Sequence, residues 1–184
     1  MVPDAALPLF LSRPPQASSP EELARAARGG DPAAFEALVK RYERRVYGLA
    51  HHHLHDPDEA QDLAQEIFVR LYRNLNRFDP GRPFEPWFWR LAANVAVNYG
   101  RRRPPPASDR DPQPAAAPVP GEWLPLEGAL ADLDPGLRLP LLLHYYLDLG
   151  LADVATALEL SLPAVKSRLH RGRLLLRRAL SEEG

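Results

Sequence analysis

The stretch LADVATALELSLPAVKSRLHRGRLLLRR, residues 151–178, joins a short apolar helix to a long basic one through a tight turn. Gly150 can cap the first helix, Leu151 to Leu158. Glu159-Leu160-Ser161 forms the turn, and Leu162 to about Leu180 is the last helix. Ser161 is its N-cap, and Pro163 is tolerated in a first turn, where backbone N–H groups have no intrahelical partner. Leu162, Val165, Leu169 and Leu176 share an apolar face, while Lys166, Ser167, His170 and Arg171 point elsewhere. From Lys166 to Arg178 there are basic residues and no acidic ones. A helix, a short turn and a basic helix are the layout of a helix-turn-helix, whose second helix offers donors to base edges and phosphates. A solvated basic face on a terminal helix is the plainer reading of the same residues.

Upstream, Trp123 to Leu133 reads as a helix, Asp134-Pro135-Gly136 as a turn, and Leu137 to Leu147 as an apolar helix interrupted near its start by Pro140. His144 on that helix reads as a hydrogen-bonded core or partner-facing residue. Further upstream, RRRPPPASDRDPQPAAAPVPGE, residues 101–122, has no apolar periodicity and reads as an extended linker. It divides the chain into two blocks, each too small to bury a large core.

The first block is helical as well. Ser19, Pro20 and Glu22 make a capping box with proline at the first helical position, and Gly29-Gly30 ends that helix. Asp31-Pro32 starts a second helix, with Phe35, Leu38, Val39, Tyr42, Val46 and Leu49 at helical spacing to about His53. Asp56-Pro57 starts a third, apolar at Leu63, Ala64, Ile67 and Leu71. RFDPGRPFEP, residues 77–86, reads as a loop. A fourth helix runs from about Pro86 to Arg103, apolar at Phe88, Leu91, Ala92, Val95 and Tyr99. No segment alternates as a strand does. The expected fold is all-α: residues 20–103 and 123–184 as two small helical domains, a flexible linker at 104–122, and a disordered head at 1–19.

Composition narrows the function. The chain has 184 residues, 23 basic and 24 acidic side chains and a net charge of -1, with 45% hydrophobic and 26% charged residues, the balance of a folded protein. It has no cysteine, which excludes disulfides, thiolate zinc sites and a cysteine nucleophile. No apolar run approaches the ~20 residues of a membrane span, so a cytoplasmic protein is expected. Near-zero charge disfavours a free-standing, non-specific nucleic-acid binder but allows charges sorted into patches.

Sorted charge is what the helices show. The third carries Asp58, Glu59, Asp62, Gln65 and Glu66 within three turns, which suits a basic protein surface. The fourth carries Arg90, Asn94, Asn98 and Arg101 on one stripe, beside Trp87-Phe88-Trp89. Asn can bond adenine twice, Arg can bond guanine or phosphate, and aromatic faces can stack unpaired bases. Core aromatics and a C-terminal arginine cluster favoured by the helix dipole fit the same residues. His51, His52, His53 and His55 suggest a metal, since His51 and His55 are spaced for one helix face, but no third ligand is evident. A frayed polar helix end is the expected reading, with no metal, cofactor or catalytic residue.

The order DPDEAQDLAQEIFVRLYRNLNRF, FEPWFWRLAANVAVNYGRRR, linker, then LADVATALELSLPAVKSRLHRGRLLLRR resembles the bacterial extracytoplasmic-function (ECF, group IV) sigma factors of the sigma-70 family. The resemblance covers residues 20–103 and 123–180. It implies a region 2 helical bundle and a region 4 helix-turn-helix. Asp58, Glu59, Asp62, Gln65, Glu66 and Arg70 would dock on the β′ clamp helices of core RNA polymerase. Phe84, Trp87, Arg90, Asn94, Asn98, Arg101 and Arg102 would recognise and open the -10 promoter element. Lys166, Ser167, Arg168, His170 and Arg171 would read the -35 element, with this domain leaning on the β flap. An anti-sigma protein is an implied partner. Two positions depart from the family pattern: Gly150 stands where Ser or Thr is usual, and Glu159 where glycine is common in the turn. A stand-alone helix-turn-helix regulator would leave the acidic third helix idle, and a metal-dependent hydrolase would have to rest on the histidines alone.

Overall fold

A computed structural model describes residues 18–102 and 124–182; all but the last two residues of the expected head and the whole of the expected linker lie outside the described residues. Among the described residues there are helices and turns and no strand. The order is α1 (Pro20–Arg28), α2 (Pro32–Leu54), α3 (Pro57–Asn74), a 3-10 turn (Leu75–Arg77), α4 (Phe84–Arg102), α5 (Leu124–Ala131), α6 (Pro135–Leu141), a π-helical turn (Leu142–Tyr146), α7 (Leu151–Leu158) and α8 (Leu162–Glu182).

The helix starts follow local chemistry. The Ser19 hydroxyl accepts from the Glu22 N–H at 3.1 Å, and the Glu22 carboxylate accepts from the Ser19 N–H at 2.9 Å. Asp31 and Asp56 cap α2 and α3, each followed by proline. Each cap satisfies donors that the first helical turn leaves free. The start of α4 is different. It begins at Phe84, inside the expected loop, because the Glu21 carboxylate of α1 accepts the Phe84 N–H at 2.9 Å. Pro86 then falls in the first turn, where a missing N–H costs little.

Helices α1–α4 enclose an aromatic core. Tyr42 is 1% exposed and touches the rings of Phe84, Phe88 and Trp89 at centroid distances of 5.7, 5.0 and 5.8 Å. Its hydroxyl donates to Glu85 Oε1 at 3.0 Å. Such ring pairs add about 0.5–1.5 kcal/mol each beyond the area they bury.

The expected helix from Leu137 to Leu147 is not a single α-helix. Pro140 cannot donate to the Gly136 carbonyl, which instead accepts from Arg168 Nη1 at 3.4 Å. Beyond Leu141 the chain widens to a π-turn. Gly172 of α8 lets Leu141 approach, since a Cβ there would lie 2.8 Å from Leu141 Cδ1. Glu159 ends α7 in the left-handed region, φ 55°, so the turn holds a conformation that suits glycine better. Ser161 caps α8 through the Ala164 N–H at 3.3 Å. Leu162 is 41% exposed, so the apolar face of α8 begins at Val165.

The two helix groups pack directly on each other. α4 lies along α7, and α2 meets α5, α6 and the π-turn. Arg45 on α2 donates to the Leu147 carbonyl at 3.2 Å, and its guanidinium sits 4.8 Å from the Trp89 ring centroid. At Gly48 a side chain would collide with the Tyr146 hydroxyl. Arg138 is 7% exposed and reaches across to the His53 carbonyl at 2.5 Å, while also donating to Ala131 and Leu133 at 2.6 and 2.7 Å.

This packing corrects the expectation of a frayed histidine end. His51 and His53 are buried, and burial pushes the His55 imidazole down to about 3, with the nearby Arg138 charge adding to the effect.

Candidate nucleic-acid interface

Three surfaces carry the residues singled out in the sequence. On α3, Asp58, Asp62 and Gln65 are exposed, and Glu66 is half-buried. Their spacing continues along one face to Val69 and Tyr72, which are 38% and 63% exposed. These two apolar residues extend the ridge, and Tyr72 also leans edge-on against Phe35, at 5.1 Å between centroids. Glu59 is half-buried near the Asp56 cap, which accepts its N–H at 3.1 Å.

Arg70 leaves that ridge. It lines a cleft of about 320 Å³ between α3 and α4, together with Asn74, Arg77, Trp87, Arg90, Asn94 and Asn98. Asn94 and Asn98 are exposed one turn apart, and Trp87 and Arg90 are half-buried. The cleft therefore combines guanidinium and amide donors with one partly covered indole, a set suited to phosphates, base edges and a stacked base. Asn74 and Arg77 were not anticipated. Asn74 is the last residue of α3 and Arg77 closes the 3-10 turn after it, and only the packing of α3 on α4 turns them toward the same space. Arg90 Nη2 also lies 3.5 Å from Asp153 Oδ1 of α7, so one cleft residue is engaged by the second helix group.

Phe84 does not belong to this surface. It is fully buried, stacked on Phe88 with centroids 5.6 Å apart, and edge-on to Phe78. Its expected contact with DNA is replaced by a core role, because α4 starts earlier than the prolines suggested. Trp89 is likewise core at 1% exposure. Arg101 and Arg102 end α4, and their side chains lie outside the described residues.

On α8, Lys166, Ser167, His170 and Arg171 are exposed, in two pairs one helical turn apart. Arg168 is half-buried and turned to the Gly136 carbonyl, so it stands apart from the other four. Arg173 Nη1 donates to the Tyr145 hydroxyl at 3.3 Å. Leu174 and Leu175 are about half exposed further along the helix, at 50% and 48%. His144 Nδ1 lies 2.7 Å from the Leu149 carbonyl, a local bond that holds the turn before α7.

The profile of the Sigma-70 region 2 family matches residues 38–104, and that of Sigma-70, region 4 matches residues 123–176. The RNA polymerase sigma-H factor of Pseudomonas aeruginosa is 31% identical over 185 aligned positions, covering 87% of this chain and 93% of that protein. The ECF RNA polymerase sigma factor SigW of Bacillus subtilis is 29% identical, covering 83% of this chain and 92% of the other. Among solved structures, CnrH in complex with the cytosolic domain of CnrY is similar with a TM-score of 0.68 and 27% identity, covering 91% of this chain and all of that one. RpoE of Bartonella quintana, solved with the anti-sigma factor NepR, shares the fold with a TM-score of 0.67 and 20% identity, over 80% of this chain and 96% of that one.

Proposed function

The chain belongs to the ECF group of the sigma-70 family of RNA polymerase sigma factors, and on that premise we propose how its surfaces divide the work of promoter-specific initiation. A sigma factor binds core polymerase and directs it to promoter DNA; the polymerase makes the RNA. No helix among the described residues is long and apolar enough to cross a membrane.

The α3 ridge of Asp58, Asp62, Gln65, Glu66, Val69 and Tyr72 docks on the β′ clamp helices. Carboxylates beside exposed apolar residues suit a partner that is basic at its rim and apolar at its centre. The α3–α4 cleft takes the -10 element. Asn94 and Asn98 read base edges, Arg70, Arg77 and Arg90 hold phosphates, and Trp87 stacks an unpaired base. Opening the duplex costs a few kcal/mol per unstacked base, and capture of that base offsets it. Lys166, Ser167, His170 and Arg171 read the -35 element, each good base contact contributing about 1–3 kcal/mol. Arg168 acts here as a structural residue of the turn. Leu174 and Leu175 form an apolar strip for the β flap.

The domains divide at the proline-rich segment, with residues 20–103 and 123–184 as the working units. An anti-sigma protein is the proposed regulator, an idea supported by similarity to factors solved with protein partners. The grouping of guanidinium, amide and indole groups around one cleft carries the -10 assignment. Run-off transcription with core polymerase tests it. Wild-type protein starts at a defined promoter, and Asn94→Ala with Asn98→Ala abolishes the start while leaving polymerase binding intact. Unchanged starts in that double variant would remove the cleft from promoter reading.

A further inference from the structure

Promoter recognition makes no use of a side-chain cluster where the two helix groups meet. His51 and His52 in the last turns of α2 face Glu127 of α5, and one ligand atom from each lies within 4.8 Å of the others. The third group comes from beyond the linker, which is why the sequence offered no partner for the histidines. The cluster is sheltered: His51 is 8% exposed, and His52 Nδ1 and Glu127 Oε1 are closed to solvent. Those two atoms are 2.6 Å apart but not in hydrogen-bond alignment, so neither satisfies the other. The rings are held in place. His51 stacks on Tyr47, and His52 sits edge-on to His51 and Tyr146.

We propose that His51, His52 and Glu127 form a binding site for one divalent transition-metal cation of the zinc class, bridging the two helix groups. Two imidazole nitrogens and one carboxylate oxygen suit such a cation better than magnesium or calcium, and a water molecule completes a tetrahedron. Bonds of about 2.0–2.1 Å set ligand–ligand edges of about 3.3 Å. On that geometry the longest separation closes by at most roughly 1.5 Å and the 2.6 Å His52–Glu127 contact opens by about 0.7 Å, changes within the reach of side-chain rotation. The carboxylate brings one negative charge, so the filled site carries a net single positive charge in place of a poorly aligned pair.

The consequence for transcription rests on the promoter reading; the metal site does not. The -10 and -35 elements are about 25 base pairs apart, or ~85 Å of duplex at about 3.4 Å per pair. Two modules in direct contact span roughly 40–50 Å. The cation therefore favours a form that cannot hold both elements.

The test uses the full chain stripped of metal by a chelator. Cobalt(II) is titrated for its visible tetrahedral bands, and zinc against a chromophoric chelator. One equivalent binds at micromolar concentration, and Glu127→Gln and His52→Ala each weaken binding at least tenfold, since even an outer partner of a ligand is worth about 10–100-fold. Circular dichroism checks that both variants stay folded. No saturable binding at micromolar metal, or binding that survives both substitutions, overturns the site. The chain has no cysteine, so cysteines placed at Glu43 and Arg177 give unique labels for energy transfer. Zinc shortens the label separation in the wild type and not in Glu127→Gln; metal binding with no change in separation overturns the bridge. Failure to start promoter-dependent transcription both with and without zinc would count against the promoter reading instead, and a start that requires zinc would overturn the inhibitory role of the closed form.

Discussion

Replacing Arg138 with methionine keeps most of the side-chain volume and removes a guanidinium that serves three carbonyls. Ala131 ends α5, Leu133 lies in the turn before α6, and the third, His53, is in the last turn of α2 across the contact between the modules. All three bonds are charge-assisted and sit at a side chain only 7% exposed. Each buried carbonyl left without its donor typically costs about 1–3 kcal/mol. The bond to His53 alone is worth about 1.5–3 kcal/mol, which weakens closure of the two modules about 10- to 150-fold. The remainder falls on the second module itself. Urea denaturation followed by tryptophan fluorescence measures the total, and energy transfer between labels on the two modules measures closure. Arg138→Lys restores at most one of the three bonds and should recover only part of either signal. A stability loss below about 1 kcal/mol, or an unchanged separation, would refute the claim that this arginine ties the modules together.

Reversing charge on the ridge with Asp62→Lys and Glu66→Lys should weaken association with core polymerase at least tenfold in a pull-down titration, while the unfolding midpoint moves by no more than about 0.5 kcal/mol, as expected of surface sites. Single Asn94→Ala and Asn98→Ala variants should each cost about 1–3 kcal/mol of discrimination at one promoter position, read by competition between promoters differing at that base pair. Glu21→Gln should destabilise the first module by about 1 kcal/mol through the weakened cap on α4. The Phe84 N–H holds the Glu21 carboxyl below its usual 4.5, so its contribution is complete above that value and is lost as pH falls through the lower folded value. The acid limb of the wild-type stability profile should therefore flatten in the Glu21→Gln variant.

Much of the architecture follows from short-range signals. Ser19, Asp31, Asp56 and Ser161 cap the helices they were expected to cap. Tyr42, Val46, Leu63, Ile67 and Leu71 are buried where helical spacing puts them. The polar face of α3 and the exposed quartet Lys166, Ser167, His170 and Arg171 were likewise readable, because a helix keeps residues three and four apart on one side. Spacing within a helix says nothing about its neighbours. Arg70 was grouped with the acidic ridge, although α4 turns it into the cleft. Arg168 was grouped with the DNA-facing residues, although the carbonyl freed by Pro140 draws it inward.

The linear chain alone determined an all-helical protein in two blocks, with the order of its motifs, since caps, turns and apolar periodicity act over a few residues. Contacts between distant segments decided the rest. α4 starts at Phe84 because Glu21, some sixty positions earlier, satisfies its free N–H. The histidines became a buried cluster because Arg138 and Glu127 arrive from beyond the proline-rich segment. Such meetings depend on how whole helices pack, and a hydrogen bond or ligand set closed across that distance leaves no periodic trace in the residues that make it.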